Sequence, residues 1–261
     1  MPKTDNCEKR MQTGEYLARI GYTGKAEPTA GVLSDLQYAH LQTVPYENLD
    51  ILRGLPLSLK AADLYDKIVR RHRGGYCFEL NGIFGWLLRE LGYEVTDYMA
   101  RFLLNEPTVP MRRHRVLRVR ADGRDYLCDV GVGLEVPRRP LLLQEGFVQE
   151  KGLTSYKLTR EPFFGWVLRE LYHGSWRTLY AFTEEEQLEV DFIQPTFYCE
   201  NHPDSIFRRQ NMLSIRTPDG RKTLDGNIFK VFSPTGVQAT ELADGAKIDA
   251  VLREHFGIVL P

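Results

Sequence analysis

Cysteine is scarce in this chain, and none of its four copies forms a CxxC pair. They stand at positions 7, 77, 128 and 199, too widely spaced for a zinc knuckle or a thioredoxin-type motif. A disulfide framework is equally unexpected in a reducing compartment at this chain length. An excess of one charge is also missing, since 34 basic and 35 acidic side chains leave a net charge of −1. No global field therefore recruits nucleic acid or an anionic membrane. No apolar run approaches the roughly 18 residues of a membrane-spanning helix. The opening MPKTDNCEKR is charged and lacks the apolar stretch of a signal peptide. The expectation is a cytoplasmic protein with no nucleic-acid or membrane partner and no structural metal. There is no internal repeat and no low-complexity tract. What is present is an ordinary globular composition, 43% hydrophobic and 26% charged over 261 residues, enough for a sizeable core.

The first ninety residues read as helices. Glu15 to Ile20 makes a short one, with Thr13 as its cap and Gly21 as its stop. Val32, Leu33, Leu36, Ala39 and His40 recur at helical spacing until Pro45. Leu64, Tyr65, Ile68 and Val69 mark a third helix, broken by Gly74-Gly75. A fourth runs from about Cys77 to Leu91, burying Leu80, Phe84, Leu87, Leu88 and Leu91, with Gly92 as its C-cap. Beyond Gly92 the pattern turns to strands. HRVLRVR-ADGR-DYLCDV is the clearest hairpin, with Asp122-Gly123 as a two-residue turn. Strand-like runs follow at 153–160, 163–171 and 176–182, and Asp-Gly turns at 219–220 and 225–226 imply more. Phe163, Phe164, Trp166 and Trp176 read as core aromatics of those strands. Ile248, Val251, Leu252 and Phe256 form a closing helix.

Cys77 is the most informative residue. It follows a diglycine and opens a long helix, where first-turn N–H groups and the helix dipole favour a thiolate. The glycines let another backbone or a ligand approach closely. A buried inert cysteine is the competing reading. The hairpin offers a base. With Asp122-Gly123 as the turn, Val116 faces Asp129, so His114 and Asp129 share one face a diagonal step apart, within reach of an imidazole–carboxylate hydrogen bond. Leu117, Val119, Tyr126, Cys128 and Val130 take the other face, which makes Cys128 a core residue. A helix-start cysteine with a His–Asp pair is the pattern of a nucleophilic triad.

RGGYCFELN at 73–81 closely resembles the active-cysteine motif of the arylamine N-acetyltransferases. HLQTVPYENLD at 40–50 resembles that family's N-terminal signature, HRVLRV from His114 its histidine strand, and CDVGVG at 128–133 its aspartate segment. The resemblance covers most of the chain in order and spacing. It implies Cys77 as nucleophile, His114 as base and Asp129 as orienting acid. It also implies an α+β architecture with an N-terminal helical bundle (1–92), a β-barrel-like middle domain (93–198) and a C-terminal α/β lid (199–261), the triad lying between the first two. The implied chemistry is ping-pong acetyl transfer from acetyl-coenzyme A, through a cysteine thioester, to an arylamine or hydrazine.

The same resemblance makes Tyr46, Val132 and Gly133 pocket residues, Tyr46 and Val132 each standing where the family often has phenylalanine. CENHPDSIF at 199–207 resembles the segment before the lid, with Glu200-Asn201 in place of a usual Ser-Thr pair. His202 reads as a turn residue and Cys7 as incidental. Arg112, Arg113, Arg115, Arg118 and Arg120 crowd around His114, either as a solvated basic edge or, through Arg112 and Arg113, as a trap for coenzyme A phosphates. Two other functions compete. One is an amide synthase that takes a larger acyl thioester from a carrier protein, as in ansamycin macrolactam closure; the other is a thioester-binding scaffold with a vestigial triad.

Overall fold

The computed structural model describes residues 11–134 and 136–260, and Cys7 lies outside them. Helices come first: α1 (Thr13–Arg19), α2 (Ala30–Thr43), α3 (Leu49–Leu52), α4 (Ala61–Tyr65) and α5 (Cys77–Glu90). Thr13 is the first residue of α1 rather than its cap, a position held by Gln12. The third helix departs from a plain α-helix, because α4 runs into one π-helical turn, Asp66–Arg70. The apolar stripes of α2, α4 and α5 converge as expected. Leu33, Leu36, Leu64, Ile68, Leu80, Phe84, Leu87 and Leu88 are buried together, each contributing roughly 1.5–3 kcal/mol of transfer free energy.

Eight strands follow, β1 (Glu94–Phe102), β2 (His114–Ala121), β3 (Arg124–Cys128), β4 (Leu141–Leu142), β5 (Gln149–Glu150), β6 (Ser155–Glu161), β7 (Gly165–Tyr172) and β8 (Ser175–Glu186). They form one antiparallel sheet in the order β4-β3-β2-β1-β8-β7-β6-β5. Its edge strands meet through a side chain. The Leu142 N–H donates to Gln149 Oε1 at 2.9 Å, and Gln149 Nε2 donates to the Leu142 carbonyl at 3.0 Å. That carboxamide imitates a backbone rung and leaves the sheet nearly closed into a barrel. Both faces of the β2–β3 hairpin are consequently buried. Leu117, Val119, Cys128 and Val130 face the helices, while Val116 and Leu127 face the barrel interior with Tyr156, Tyr180 and Phe182.

The hairpin turn is as read from the sequence, with positive φ at Asp122 (47°) and Gly123 (72°), the geometry of a type I′ turn. Its register pairs Leu117 with Cys128 through to Ala121 with Arg124. The expected next pair, Val116 with Asp129, lies beyond the end of this ladder. Trp166 is buried, but Phe163 is 67% exposed at the β6–β7 turn and contributes nothing to the core.

The expected boundary at 198/199 falls inside a helix, α6 (Ile193–Asn201), which leads from the barrel into the last part of the chain. There β9 (Met212–Thr217), β10 (Gly220–Asp225), β11 (Ile228–Ser233) and β12 (Gly236–Glu241) make a meander, followed by α7 (Gly245–Phe256). Asp244 caps α7 by accepting from the Lys247 N–H, and left-handed Gly257 ends it. Two attachments seat this unit over the start of α5. Backbone bonds of 2.9 and 3.0 Å join Tyr46 and Ser214, while the Arg138 guanidinium donates to the carbonyls of Thr217, Pro218 and Gly220. Among the described residues, no helix is long and apolar enough to cross a membrane.

Candidate active site

The loop before α5 is glycine because of crowding. A Cβ on Gly74 would sit 1.9 Å from the Pro45 carbonyl oxygen, and one on Gly75 would sit 2.8 Å from Glu79 Oε2. Close approach lets the Gly75 carbonyl accept from the Glu47 N–H at 2.8 Å, so Tyr46 is drawn beside the start of α5. Glu79 Oε2 accepts the Tyr76 N–H at 3.1 Å and caps the helix. Cys77 follows, with 3% of its surface exposed.

One turn further, Asn81 explains why the hairpin ladder stops. Pairs in this register sum to 245, so the rung beyond Val116 would join Arg115 to Val130. The Asn81 carboxamide occupies that rung: its Nδ2 donates to the Arg115 carbonyl at 2.6 Å, and its Oδ1 accepts the Val130 N–H at 2.9 Å. The strands part around it, and Asp129 turns inward. Asp129 Oδ1 then accepts from Asn81 Nδ2 and from the Gly131 N–H, each at 2.9 Å. Its Oδ2 meets His114 Nε2 at 2.7 Å, with both side chains buried. Gly131 lies against the helix start, where an added Cβ would be 2.6 Å from the Cys77 Cα.

Cys77 and His114 line one cavity of about 470 Å³, together with Tyr46, Arg113, Gly131, Val132 and Gly133. Phe102, Leu104, Phe207 and Met212 supply apolar wall, and β10 presents Arg221, Thr223 and Asp225. Gly133 leaves room for the Tyr46 ring, which a Cβ there would meet at 3.0 Å. The His114 ring is flanked by Tyr180 at 5.2 Å and Phe102 at 6.0 Å between centroids. Tyr180 is fully buried, and burial pushes its phenol up, with the Asp129 charge beside it adding to the effect.

Electrostatics separates the three groups. Burial alone would raise the Asp129 carboxyl, but His114 and the hydrogen bonds from His114, Asn81 and Gly131 outweigh it and hold it below its ordinary value. Cys77 behaves contrary to the expectation of a thiol drawn down by the helix start. Burial pushes it up, Cys199 and Asp129 add to this, and the N–H groups of Arg115 and Phe78 only partly oppose it. Its Sγ donates to the Arg113 carbonyl at 3.6 Å. Burial therefore works against a thiolate at this position, and a cation beside it would favour one.

The arginines divide. Arg113 lines the cavity and pairs with Glu106 at 3.2 Å. Arg112 lies elsewhere, beside Phe163 and Phe164, and pairs with Glu185 at 3.1 Å. Arg115 is wholly buried between Asp97 (2.7 Å) and Glu189 (2.6 Å), so it is a core anchor rather than part of a basic edge. Arg118 and Arg120 both reach Asp125 at the surface. His202 ends α6 and accepts from the Asp204 N–H, the turn role expected of it.

Three contributors escaped the sequence reading. Asn81 carries a signal, since a polar residue four positions after Cys77 shares its helix face. Tyr180 enters the barrel interior by strand alternation. Cys199 is buried in the same apolar cluster as Cys77, and burial pushes its thiol up to about 12; nothing in its sequence position signals that proximity.

The family model described as N-acetyltransferase matches residues 29–261. An arylamine N-acetyltransferase of Mycobacterium tuberculosis is 39% identical over 249 residues, covering 93% of this chain and 88% of its own length. The chain belongs to the arylamine N-acetyltransferase family. The solved structure of an M. tuberculosis arylamine N-acetyltransferase superposes with a TM-score of 0.89 at 38% identity, covering 95% of this chain and 94% of that one. The Mycobacterium marinum arylamine N-acetyltransferase in complex with CoA gives 0.88 at 37% identity, covering 95% and 93%. The chain is thus an acetyl-transferring enzyme of this family, and the carrier-protein alternative gains no support from these relatives.

Proposed function

We propose that Cys77 carries the acetyl group between acetyl-coenzyme A and the nitrogen of an arylamine or hydrazine. The observation that supports this best is the buried 2.7 Å His114–Asp129 contact behind a cavity that Cys77 also lines. His114 presents Nε2 to Asp129, which leaves Nδ1 as the nitrogen for the cysteine proton. As Cys77 Sγ attacks the thioester carbonyl, its proton passes to His114, and Asp129 stabilises the resulting imidazolium. The C–S bond to coenzyme A breaks, and His114 returns a proton to the departing thiolate. The amine then attacks acetyl-Cys77, His114 takes a proton from its nitrogen, and the cysteine leaves as the thiol.

Thioester exchange is nearly balanced in energy, which suits a sulfur carrier. The apolar wall and the strands above Cys77 limit water, so the acyl-enzyme survives until an amine arrives. Tyr46, Val132 and Gly133 line the acceptor space in this reading. Of the two candidate phosphate contacts, Arg113 is the one at the cavity, and coenzyme A is the donor suggested by the M. marinum complex. No metal enters these steps.

The test is release of free thiol from acetyl-coenzyme A, with and without an aromatic amine. Amine-dependent release in the unmodified protein, lost in Cys77→Ser, supports the reading. Equal release with and without amine, or full activity in Cys77→Ser, contradicts it.

A further inference from the structure

Behind the start of α5 lies a buried cluster of five charged side chains. Lys67 Nζ stands 2.7 Å from Glu79 Oε1 and 2.7 Å from Asp50 Oδ2. Arg73 stands 2.7 Å from Glu47 and 2.8 Å from Asp50. Lys67, Arg73, Glu47 and Glu79 are all at least nine-tenths buried. Three carboxylates share two cations, so none of the cations can be lost cheaply.

Glu79 does two things at once. One oxygen takes the Lys67 ammonium, and the other accepts the N–H of Tyr76, the residue just before Cys77. Gly75 lies against the same carboxylate. A buried carboxylate that loses its cation takes up a proton, and a neutral carboxyl is a weaker acceptor than an ionised one. We propose that Lys67 is a positioning residue for the nucleophile: it keeps Glu79 ionised, and ionised Glu79 fixes the backbone from which Cys77 projects. This rests on the reading of Cys77 as the acetyl carrier.

The surroundings of Glu79 support the argument. Burial pushes its carboxyl up, Lys67 opposes this by charge and hydrogen bond, and the nearby Glu47 charge adds to the rise. The other charged groups at hand, Asp50 and Arg73, are bound to Lys67 and Glu47 rather than to Glu79 itself. Tyr46 and Tyr76 also lie within reach of the Glu79 charge, and burial opposes the ionisation of both phenols. Loss of Lys67 removes the main opposition to burial, so the protonated form of Glu79 is favoured further and gives way to the carboxylate only as the pH rises.

The experiment measures the rate at which acetyl-coenzyme A acetylates Cys77, by intact mass, across pH. Lys67→Met should slow acetylation on the order of tenfold near neutral pH, the scale of one charge-assisted hydrogen bond, and the loss should shrink as pH rises. The double variant Lys67→Met/Glu79→Gln removes both charges yet keeps an acceptor for Tyr76, so its rate should return to within about threefold of the unmodified protein, with the added pH dependence gone. A double variant as slow as Lys67→Met, or a Lys67→Met loss that is flat with pH, overturns the proposal. If Lys67→Met does not fold, Glu79→Gln against Glu79→Leu decides: Glu79→Gln keeps a neutral acceptor and should lose no more than about threefold, while Glu79→Leu keeps none and should lose about tenfold or more, and equal rates overturn the proposal. Absence of acetyl-Cys77 in the unmodified protein overturns the carrier reading and this inference together. Its presence with unaffected variants overturns the inference alone.

Discussion

Asn81 donates its side-chain amide to the Asp129 carboxylate at 2.9 Å, so the helix that carries the cysteine also holds the acid. The same carboxamide replaces the missing rung between Arg115 and Val130. Cys77 and Asp129 are thereby fixed relative to each other by one side chain. Asn81→Ala should leave Asp129 one donor short and the strand ends unpaired. A fall in kcat/KM of about ten- to a hundredfold is expected, matching the 1.5–3 kcal/mol of a hydrogen bond to a charged group. Steady-state kinetics on Asn81→Ala checks this, and an unchanged kcat/KM would remove Asn81 from the site's support.

Gly131 touches the same assembly from the loop. A Cβ there would lie 2.6 Å from both the Cys77 Cα and Asn81 Nδ2, with backbone on one side. Gly131→Ala should therefore cost roughly 1–3 kcal/mol of stability, the usual scale of overpacking, and slow acetylation of Cys77 as well. A melting curve paired with the acetylation rate tests both halves. Normal values in both measurements would show that the loop moves aside without consequence.

The pH at which Cys77 reacts with iodoacetamide reports on His114. Since burial pushes this thiol up, reaction below pH 8 depends on His114 holding the proton beside Asp129. Unmodified protein should label at Cys77 below that pH and ahead of Cys128, which burial also pushes up. His114→Ala removes the cation and should move labelling above the ordinary thiol value of about 8.5. Asp129→Asn should move it in the same direction by less. Identical labelling curves for the unmodified protein and His114→Ala would separate the two residues functionally.

Local rules carried the sequence reading far in places. The helix spacings of α2 and α5, the type I′ turn at Asp122-Gly123 and the shared face of His114 and Asp129 all depend on neighbours close in the chain. What escaped it depends on distant contacts. Asn81 ended the ladder early because a helix side chain outcompeted a backbone rung. Gln149 nearly closes the sheet by the same means from a two-residue strand. Arg115 looked like part of a basic strip, yet its two carboxylate partners come from β1 and from the segment before α6. The rise of the Cys77 thiol likewise follows from burial by parts of the chain that local pattern does not bring together.

His40 makes the fold itself sensitive to acid. It is fully buried, its Nδ1 is 3.0 Å from the Tyr16 hydroxyl, and burial lowers its pKa to about 3. The folded value lies below the unfolded one, near 6.5. The unfolded chain therefore binds the proton first, and the stability His40 contributes is complete above about 6.5 and lost as pH falls towards 3. Asp129, also held below its ordinary value, acts in the same direction at lower pH. Urea midpoints should fall with pH across this window, and His40→Gln should flatten the slope even if it lowers stability throughout. An unchanged slope in that variant would assign the acid sensitivity to other groups.

The central claim is that Cys77 holds the acetyl group, and a single mass measurement tests it most directly. The protein is mixed with acetyl-coenzyme A without amine, quenched in acid and digested, and the peptide containing Cys77 is compared with those containing Cys128 and Cys199. One acetyl group is expected on Cys77 alone, removed when an arylamine is added before quenching and recovered as the N-acetyl amine. An unmodified Cys77 under conditions where the amine is nonetheless acetylated would contradict it, because transfer would then bypass the cysteine.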